Sequence, residues 1–408
     1  MNSSSKSLSQ RWPILCMAVL AMLFAGILYA WSILKVPFAE EFGWGVSDLS
    51  LSFTLAMCSF CVGGFLGSQL SKWIGAKLST ILSGILAGAG IALTGCLSGN
   101  SVLYLYFTYS LMAGLGIGIV YNVVISTVNA WFPDKKGLCS GCLMMGFGAS
   151  TLVLGNLASS MFASSTIGWR KTFIIIGIAL GIVLLIVGLL IRRPGSDIVF
   201  PAPKVNASRK KEVFDGKDYT TVQMLGRFTF WRAFICLVFL TAAGNSVISF
   251  ARDLSISVGA ENNLATTLVG ILAVCNGLGR IIAGAVFDAC GRRFTMIASN
   301  LLTIGATGVI LLSVSINSLI LCVIGLCLIG MSYGSCPTVA SAFTSAFYGQ
   351  KHFASNFSVV NFNLMGAAFI ATLCSNLVVS FGGYIVPFVL LLVLSLIALV
   401  LNLSIRHP

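Results

Sequence analysis

Arg280 is the residue best placed to do chemistry, because it interrupts an apolar run that extends from Leu264 to Phe287. Counting back from Asp288 at about 1.5 Å per helical residue places Arg280 about 12 Å inside a hydrocarbon core about 30 Å thick. A central arginine costs about 2.5 to 3.5 kcal/mol on insertion scales, so such residues usually face a cavity or a partner. A guanidinium prefers a carboxylate, to which its planar fork donates two parallel hydrogen bonds. Arg280 therefore predicts an anion site, unless it snorkels to the interface or pairs with a carbonyl or with Asp288.

A stripe of polar and small residues continues from Arg280 along one helix face. Asn276, Arg280 and Gly284 are spaced four apart, with Asp288 at the foot of the stripe. Other polar or aromatic residues are predicted at similar depth, although packing explains each one better when it is taken alone. They are Tyr29, Trp31, Tyr121, Asn122, Asn245, Tyr333, Asn361 and Asn363. We expect these residues, with Asn276 and Arg280, to form one substrate-binding site.

The sequence lacks the residues that several other activities would need. No Asp or Glu falls in the interior of a predicted span, and the two histidines, His352 and His407, lie outside the spans. Proton-coupled cation and drug carriers generally need a buried titratable carboxylate. The Cys58/Cys61 and Cys139/Cys142 pairs have no further ligand nearby, so no metal site is predicted. With no nucleophile and base pair and no phosphate loop, we expect neither an enzyme nor a cofactor.

The elements that must position Arg280 are membrane helices. The chain has 408 residues, 57% of them hydrophobic and 9% charged, with a mean hydropathy of +0.99, which predicts an all-α polytopic membrane protein. Twelve apolar runs are each long enough to span a bilayer. The predicted transmembrane helices are 13-36, 48-70, 77-98, 102-127, 138-163, 171-191, 230-251, 264-287, 294-315, 318-345, 354-380 and 384-405.

The basic residues predict which way the chain is oriented. An even number of spans puts both termini on one side, and most Lys and Arg fall on that side, which predicts cytoplasmic termini in a plasma (bacterial inner) membrane. Attraction to anionic lipid of the inner leaflet then accounts for the net charge of +13, and no nucleic acid partner is needed. We expect a multi-pass monomer.

The two halves of the chain repeat at one offset. Four landmark pairs differ by 216 positions (259−43, 291−75, 334−118, 347−131), which predicts two pseudo-symmetric six-helix bundles. We expect bundles at 1-191 and 230-408, joined by a basic, Pro-containing cytoplasmic linker at 192-229. Within the linker, Thr220 to Gln223 have capping-box spacing, which is typical of a short helix, here on the inner membrane face, although a structureless loop fits the segment equally well.

Twelve helices in two repeated halves resemble the major facilitator superfamily. The segment from Gly284 to Arg293, GAVFDACGRR, is similar to the signature of that family's loop between helices eight and nine. The copy between helices two and three keeps Gly75 and Lys77 but has Lys72 where the family has Asp. The resemblance implies a conformational gate, with Gly75, Lys77, Asp288, Gly291, Arg292 and Arg293 as its residues.

More specific motifs resemble the oxalate/formate exchanger family, which includes monocarboxylate carriers. They are Tyr29-Ala-Trp31-Ser, Trp131-Phe132-Pro133, Gly146-Phe-Gly148, Gly168-Trp-Arg, Asp218-Tyr-Thr and Asn276-Gly-Leu-Gly-Arg280. The resemblance implies that Arg280 binds the substrate carboxylate. Oxalate exchangers are expected to carry a second cation, a Lys on helix eleven, but the segment from Val360 to Met365 has none.

The sequence therefore predicts a secondary transporter of a small monocarboxylate such as pyruvate, lactate or formate. The alternatives are an oxalate/formate-type exchanger, a drug or sugar carrier of the same fold, and a sensor that does not transport. The choice between antiporter and symporter stays open.

Overall fold

The computed structural model describes residues 11–99, 101–132, 136–195, 218–349 and 351–405. Across these residues the chain is helical and contains no strand, and twelve helices are long and apolar enough to cross a membrane. We label them α1 (Arg11–Leu34), α2 (Val46–Trp73), α3 (Gly75–Thr94), α4 (Val102–Trp131), α5 (Gly141–Phe162), α6 (Gly168–Leu190), α7 (Phe228–Ser257), α8 (Asn262–Phe287), α9 (Arg293–Ile316), α10 (Leu319–Tyr348), α11 (Ser355–Phe381) and α12 (Ile385–Leu403). The predicted all-α fold with twelve spans is confirmed. Helices are the expected solution, because an apolar segment in lipid must satisfy its own backbone hydrogen bonds.

Several helices continue past the predicted ends. Hydropathy stops a span at its first polar residues, whereas backbone hydrogen bonds carry the helix further. As a result α7 reaches Ser257 instead of residue 251, which places Asp253 within the helix.

The repeat in the sequence is also present in the packing. A Cβ atom on Gly118 of α4 would lie 2.1 Å from the Phe60 carbonyl oxygen of α2, and one on Gly334 of α10 would lie 2.0 Å from that of Asn276 of α8. Phe60 and Asn276 are themselves 216 positions apart (276−60). The close contact of α2 with α4 thus recurs between α8 and α10, which confirms the two pseudo-symmetric bundles.

The glycines in the two short interhelical connections also correspond. Gly75, between α2 and α3, and Gly291, between α8 and α9, both have φ of +79°. This left-handed conformation favours glycine.

The bundles α1–α6 and α7–α12 meet along three helix pairs. These are α2 with α11, α5 with α8, and the C-terminal part of α1 with α7. The α5–α8 contact is close, since a Cβ atom on Gly148 would lie 2.8 Å from the carbonyl oxygen of Ala273. Because the number of spans is even, Arg11 and Ile405 lie on the same face, which we call the terminal side.

Four helices have irregular geometry where the two bundles face each other. α1 contains a 3-10 segment at Gly26–Ala30, and α11 is interrupted between Val360 and Asn363. α10 contains Pro337, and α5 contains a π-helical segment at Thr151–Gly155. Interrupted helices in transporters commonly mark the binding site, because freed backbone groups are tolerated only where they line a cavity or are buried in protein.

A short helix precedes α7 at Thr221–Leu225 and begins with the predicted capping box. The Thr220 hydroxyl accepts from the Gln223 amide, and the Gln223 side chain accepts from the Thr220 amide. Its Met224 is buried, while Val222 is 80% exposed. The predicted helix is confirmed, and its placement on the membrane face remains a prediction. Most of the predicted linker, residues 196–217, lies outside the described residues.

Candidate functional site

Arg280 is buried between the two bundles. Its side chain is 2% exposed, Nε donates to Oδ1 of Asn276 at 3.2 Å, and Nη1 contacts the Met144 sulfur on α5 at 2.8 Å. These are the acceptors that the structure shows for the guanidinium among the described residues, and neither is a carboxylate. A thioether is a weak hydrogen-bond acceptor. The charge of Arg280 is therefore held by a neutral amide oxygen and a sulfur atom.

Asn276 places a second donor beside Arg280. Its side chain is fully buried, and Nδ2 has no hydrogen-bond partner among the described residues. An unsatisfied buried polar group costs about 1 to 3 kcal/mol. An anion reaching Arg280 could accept from this amide as well, which would remove that cost.

A chain of hydroxyl and amide groups crosses between the bundles next to Arg280. Tyr29 of α1 and Tyr333 of α10 share a hydrogen bond of 3.0 Å, and Tyr333 donates to Oδ1 of Asn245 at 2.8 Å. Asn245 in turn donates to the carbonyl of Leu364 in α11 at 3.3 Å. Four helices are thereby joined at the centre of the molecule through three predicted site residues.

A small cavity lies at this centre. Its lining residues are Tyr29, Phe60, Tyr121, Thr241, Cys336, Pro337, Asn361, Asn363 and Leu364. Its volume is about 10 Å³, which is room for about one water molecule and too little for a carboxylic acid. Binding of a substrate therefore requires the surrounding helices or side chains to move.

Asn361 and Asn363 both line the cavity, although they are only two positions apart. In a regular helix such residues do not share a face, but α11 is interrupted at this point. Asn363 accepts from the Thr241 hydroxyl at 3.1 Å and donates to the Val360 carbonyl at 2.7 Å. This wall of the cavity is polar and uncharged.

Two predicted site residues lie elsewhere. Trp31 is fully buried and donates to the Leu49 carbonyl, and its ring lies 4.7 Å from that of Tyr109, so it packs within the first bundle. Asn122 is half-buried beside Gly64 of α2. The structure does not bring Trp31 or Asn122 to the central cluster.

The predicted gate lies on the terminal side. Gly75 and Gly291 form the short connections there, and the side chains of Lys77 and Arg293 are exposed. The side chains of Asp288 and Arg292 fall outside the described part of the chain, so the latch between them stays a prediction.

Sequence reasoning missed an ion pair between the bundles on the side opposite the termini, which we call the opposite side. Lys35 of α1 is 9% exposed, and its Nζ donates to Asp253 of α7 at 2.6 Å and to the Ser249 carbonyl at 3.2 Å. The signal for it was available, because Lys35 is a further cation within a predicted span. Unlike Arg280, Lys35 has a carboxylate partner.

A second ion pair on the opposite side stays within the first bundle. Arg170 donates to both carboxylate oxygens of Glu41, at 2.5 and 3.1 Å. The Arg170 guanidinium, followed by the Trp169 indole, holds the pKa of Glu41 below its ordinary value. This pair ties the short helix that follows α1, Val36–Phe42, to α6.

Metal chemistry finds no support in the described residues, where no cluster of three or more His, Cys, Asp or Glu side chains occurs. The central groups can instead bind one carboxylate between the bundles, through the charge of Arg280 and the amide of Asn276.

Comparison with known proteins agrees with this fold. A family model described as Major Facilitator Superfamily matches residues 14–251 and 233–408. The chain is 28% identical to the oxalate:formate antiporter of Oxalobacter formigenes over 72% of this chain and 67% of that protein. It is 26% identical to an uncharacterized MFS-type transporter of Escherichia coli (strain K12), over 86% and 84% of the two chains. Monocarboxylate transporter 12 of Homo sapiens is 24% identical over 88% of this chain and 73% of its own.

Solved structures show the same architecture. The nucleoside transporter NupG superposes with a TM-score of 0.68 at 13% identity, covering 98% of both chains. A bacterial homolog of the human lysosomal transporter Spinster, in an inward-facing conformation, gives 0.67 at 16% identity over 96% of both chains. At these identities the likeness concerns the fold alone. The family match over nearly the whole described chain confirms a transporter in place of an enzyme, and the protein belongs to the Major Facilitator Superfamily.

Proposed function

We propose that this protein is a secondary transporter that moves a small monocarboxylate across the plasma membrane by alternating access. The observation that carries the proposal is the buried guanidinium of Arg280, which lies between the two bundles without a carboxylate acceptor among the described residues. A carboxylate would neutralise this charge and accept two hydrogen bonds from it. The related oxalate:formate antiporter and monocarboxylate transporter 12 support an organic anion as the class of substrate.

The size and charge of the site favour one carboxylate over two. The cavity wall formed by Thr241, Asn361 and Asn363 is uncharged, so a second carboxylate there would lose its hydration without gaining a cation. We therefore place pyruvate, lactate or formate ahead of oxalate as substrates.

Transport by the proposed mechanism requires the bundles to rock around the central site. Groups that bind substrate come from both bundles, Tyr29 and Tyr121 from the first and Arg280 from the second. A substrate bound by both would favour the closed conformation, and opening on either side would release it. We also propose that both termini are cytoplasmic, as the distribution of Lys and Arg indicates.

The proposal is tested by substituting Arg280 in protein reconstituted into vesicles. Arg280→Lys keeps the charge but loses the two-pronged geometry, and Arg280→Gln loses both, so affinity should fall in that order. Loss of a buried, charged hydrogen-bonding partner costs about 2 to 5 kcal/mol, which would abolish measurable uptake at ordinary concentrations. Uptake is measured with labelled formate, lactate, pyruvate, oxalate and a neutral sugar.

A matched control is Arg252→Gln. This change removes a guanidinium near the C-terminal end of α7, on the side opposite the termini, where it donates to Asn262. Uptake by this variant should stay within about twofold of the unmodified protein. Near-normal carboxylate affinity in well-inserted Arg280→Gln protein would contradict the role of Arg280. Equal uptake of the sugar, or no flux of any acid by the unmodified protein, would contradict the proposed function.

A further inference from the structure

The Met144 sulfur atom has two donors directed at it. Arg280 Nη1 lies 2.8 Å from Sδ, and the Tyr121 hydroxyl donates to the same atom at 3.3 Å. Met144 is 6% exposed and belongs to α5, whereas Arg280 belongs to α8 of the other bundle. The contact therefore joins the bundles through the group that is proposed to bind substrate.

A thioether is a poor partner for a desolvated guanidinium. Sulfur is a weak acceptor and carries no charge, whereas a carboxylate is charged and can accept two parallel hydrogen bonds from a guanidinium. A substrate carboxylate should therefore take Nη1 from Met144. A stronger acceptor at position 144 would compete with the substrate, and an aliphatic side chain would leave Nη1 without this acceptor.

The position of Met144 fits such an exchange. Tyr121 lines the central cavity and Arg280 does not, so the Met144 sulfur lies between a cavity wall residue and the guanidinium. Methionine is unbranched with three rotatable bonds, so its sulfur can leave Arg280 without a change in the backbone.

We propose that Met144 sets the affinity for the substrate anion by acting as a weak, displaceable acceptor for Arg280. The inference rests on the proposed function, since it assumes that Arg280 binds a carboxylate. Met144, a residue of the first bundle, then competes with the substrate anion for Arg280. Arrival of the anion then replaces a weak contact between the bundles with the stronger contacts of a bound substrate.

The proposal predicts that stability and affinity change in opposite directions. Met144→Leu removes the acceptor, so the protein without acid should unfold at a lower temperature but bind acid about three to ten times more tightly. Met144→Glu supplies a competing carboxylate, so the protein should unfold at a higher temperature and bind at least 100-fold more weakly. The measurements are thermal unfolding in detergent and equilibrium binding of labelled formate, lactate and pyruvate.

Controls separate this effect from packing. Met145→Leu makes the same change at the next residue, which is 38% exposed, and should leave the affinity within twofold. If Met144→Glu does not fold, Met144→Gln replaces it, with an expected affinity about tenfold below that of the unmodified protein. A purely structural role for Met144 would lower stability and affinity together in Met144→Leu, and that result would overturn the proposal.

The binding measurements distinguish the role of Met144 from the role of Arg280. If the unmodified protein binds an acid and Arg280→Gln abolishes that binding, Arg280 is the ligand. Equal affinities of the unmodified, Met144→Leu and Met144→Gln proteins would then overturn the role of Met144 alone. If the unmodified protein binds none of the acids, the proposed function fails and this inference fails with it.

Discussion

At the scale of single residues, the candidate site combines one buried cation with uncharged polar groups. Arg280 and Asn276 supply donors, while Thr241 donates a hydrogen bond to Asn363 within the cavity wall. A buried charge without a counter-ion is costly. A bound carboxylate removes that cost at Arg280. The uncharged wall that contains Asn363 and Thr241 would not stabilise a second carboxylate in this way.

The uncharged wall leads to a prediction for Asn363. Asn363→Lys would place a cation among the cavity-lining residues, so the preference for oxalate over lactate should rise by tenfold or more, since an added charge pair contributes at least about 1.4 kcal/mol. Competition of unlabelled oxalate and lactate against labelled substrate measures the change.

Asn363→Gln, which adds length without charge, is the matched control. An equal rise in oxalate preference for Asn363→Gln, or no change for well-folded Asn363→Lys, would show that position 363 does not select between one and two carboxylates.

At the scale of helices, packing depends on glycines that face a neighbouring backbone. Alanine at Gly334 would place a Cβ atom 2.0 Å from the Asn276 carbonyl oxygen, and Gly118 has the equivalent contact with Phe60. Gly334 is opposite the helical turn that carries Asn276 and Arg280. The close approach of α8 and α10 therefore helps to position the site residues.

We expect Gly334→Ala and Gly118→Ala to destabilise the protein by about 1 to 3 kcal/mol, because the helices must separate to admit a methyl group. The control is Gly305→Ala in α9, where a Cβ atom would meet nothing within 4 Å. That change should be neutral or stabilising, since alanine has the higher helix propensity.

Thermal unfolding in detergent compares the three variants. Gly334→Ala should also weaken acid binding, because it displaces the backbone next to Asn276. Equal melting temperatures for Gly334→Ala and Gly305→Ala would contradict the close packing of α8 against α10.

At the scale of the whole molecule, hydrogen bonds hold the bundles together on the side opposite the termini. They include Lys35 with Asp253, Ser47 with Asn376, and Thr54 with Thr372. The central cavity is also too small for a substrate. The protein is therefore closed on the side opposite the termini, with too little room at its centre for a substrate.

The pair of Lys35 and Asp253 should favour the conformation that is closed on the opposite side. Asp253→Asn removes one charge of a partly exposed pair, which is worth about 1 kcal/mol, so the population open on that side should rise about fivefold. Distances between spin labels at positions 47 and 376, in a cysteine-free background, measure the two populations.

Glu41→Gln is the matched control, because it breaks the other ion pair on the same side, which lies within one bundle. It should leave the distance distribution unchanged. The same distribution for Asp253→Asn and the unmodified protein would show that the Lys35 pair does not stabilise the closed conformation.

The sequence alone was sufficient for the architecture. Runs of about 20 apolar residues have few alternatives to a transmembrane helix, because an unpaired backbone group in lipid is too costly. The repeat at 216 positions followed from glycines whose positive φ or close contacts exclude other residues. The burial of Arg280 followed from its depth within one apolar run.

Only the tertiary structure decided which residues meet. Tyr29 and Trp31 are two positions apart and so point to different sides of α1, and helical spacing alone did not show which side faces the second bundle. Asn361 and Asn363 share the cavity because α11 is interrupted between Val360 and Asn363, and no periodic pattern predicts that interruption.

Met144 and the Lys35–Asp253 pair depend on contacts between residues more than 130 positions apart. A methionine in an apolar helix carries no sign of a polar role, and hydropathy ended α7 before Asp253. These contacts follow from how two six-helix bundles dock, which the pattern within each helix does not specify.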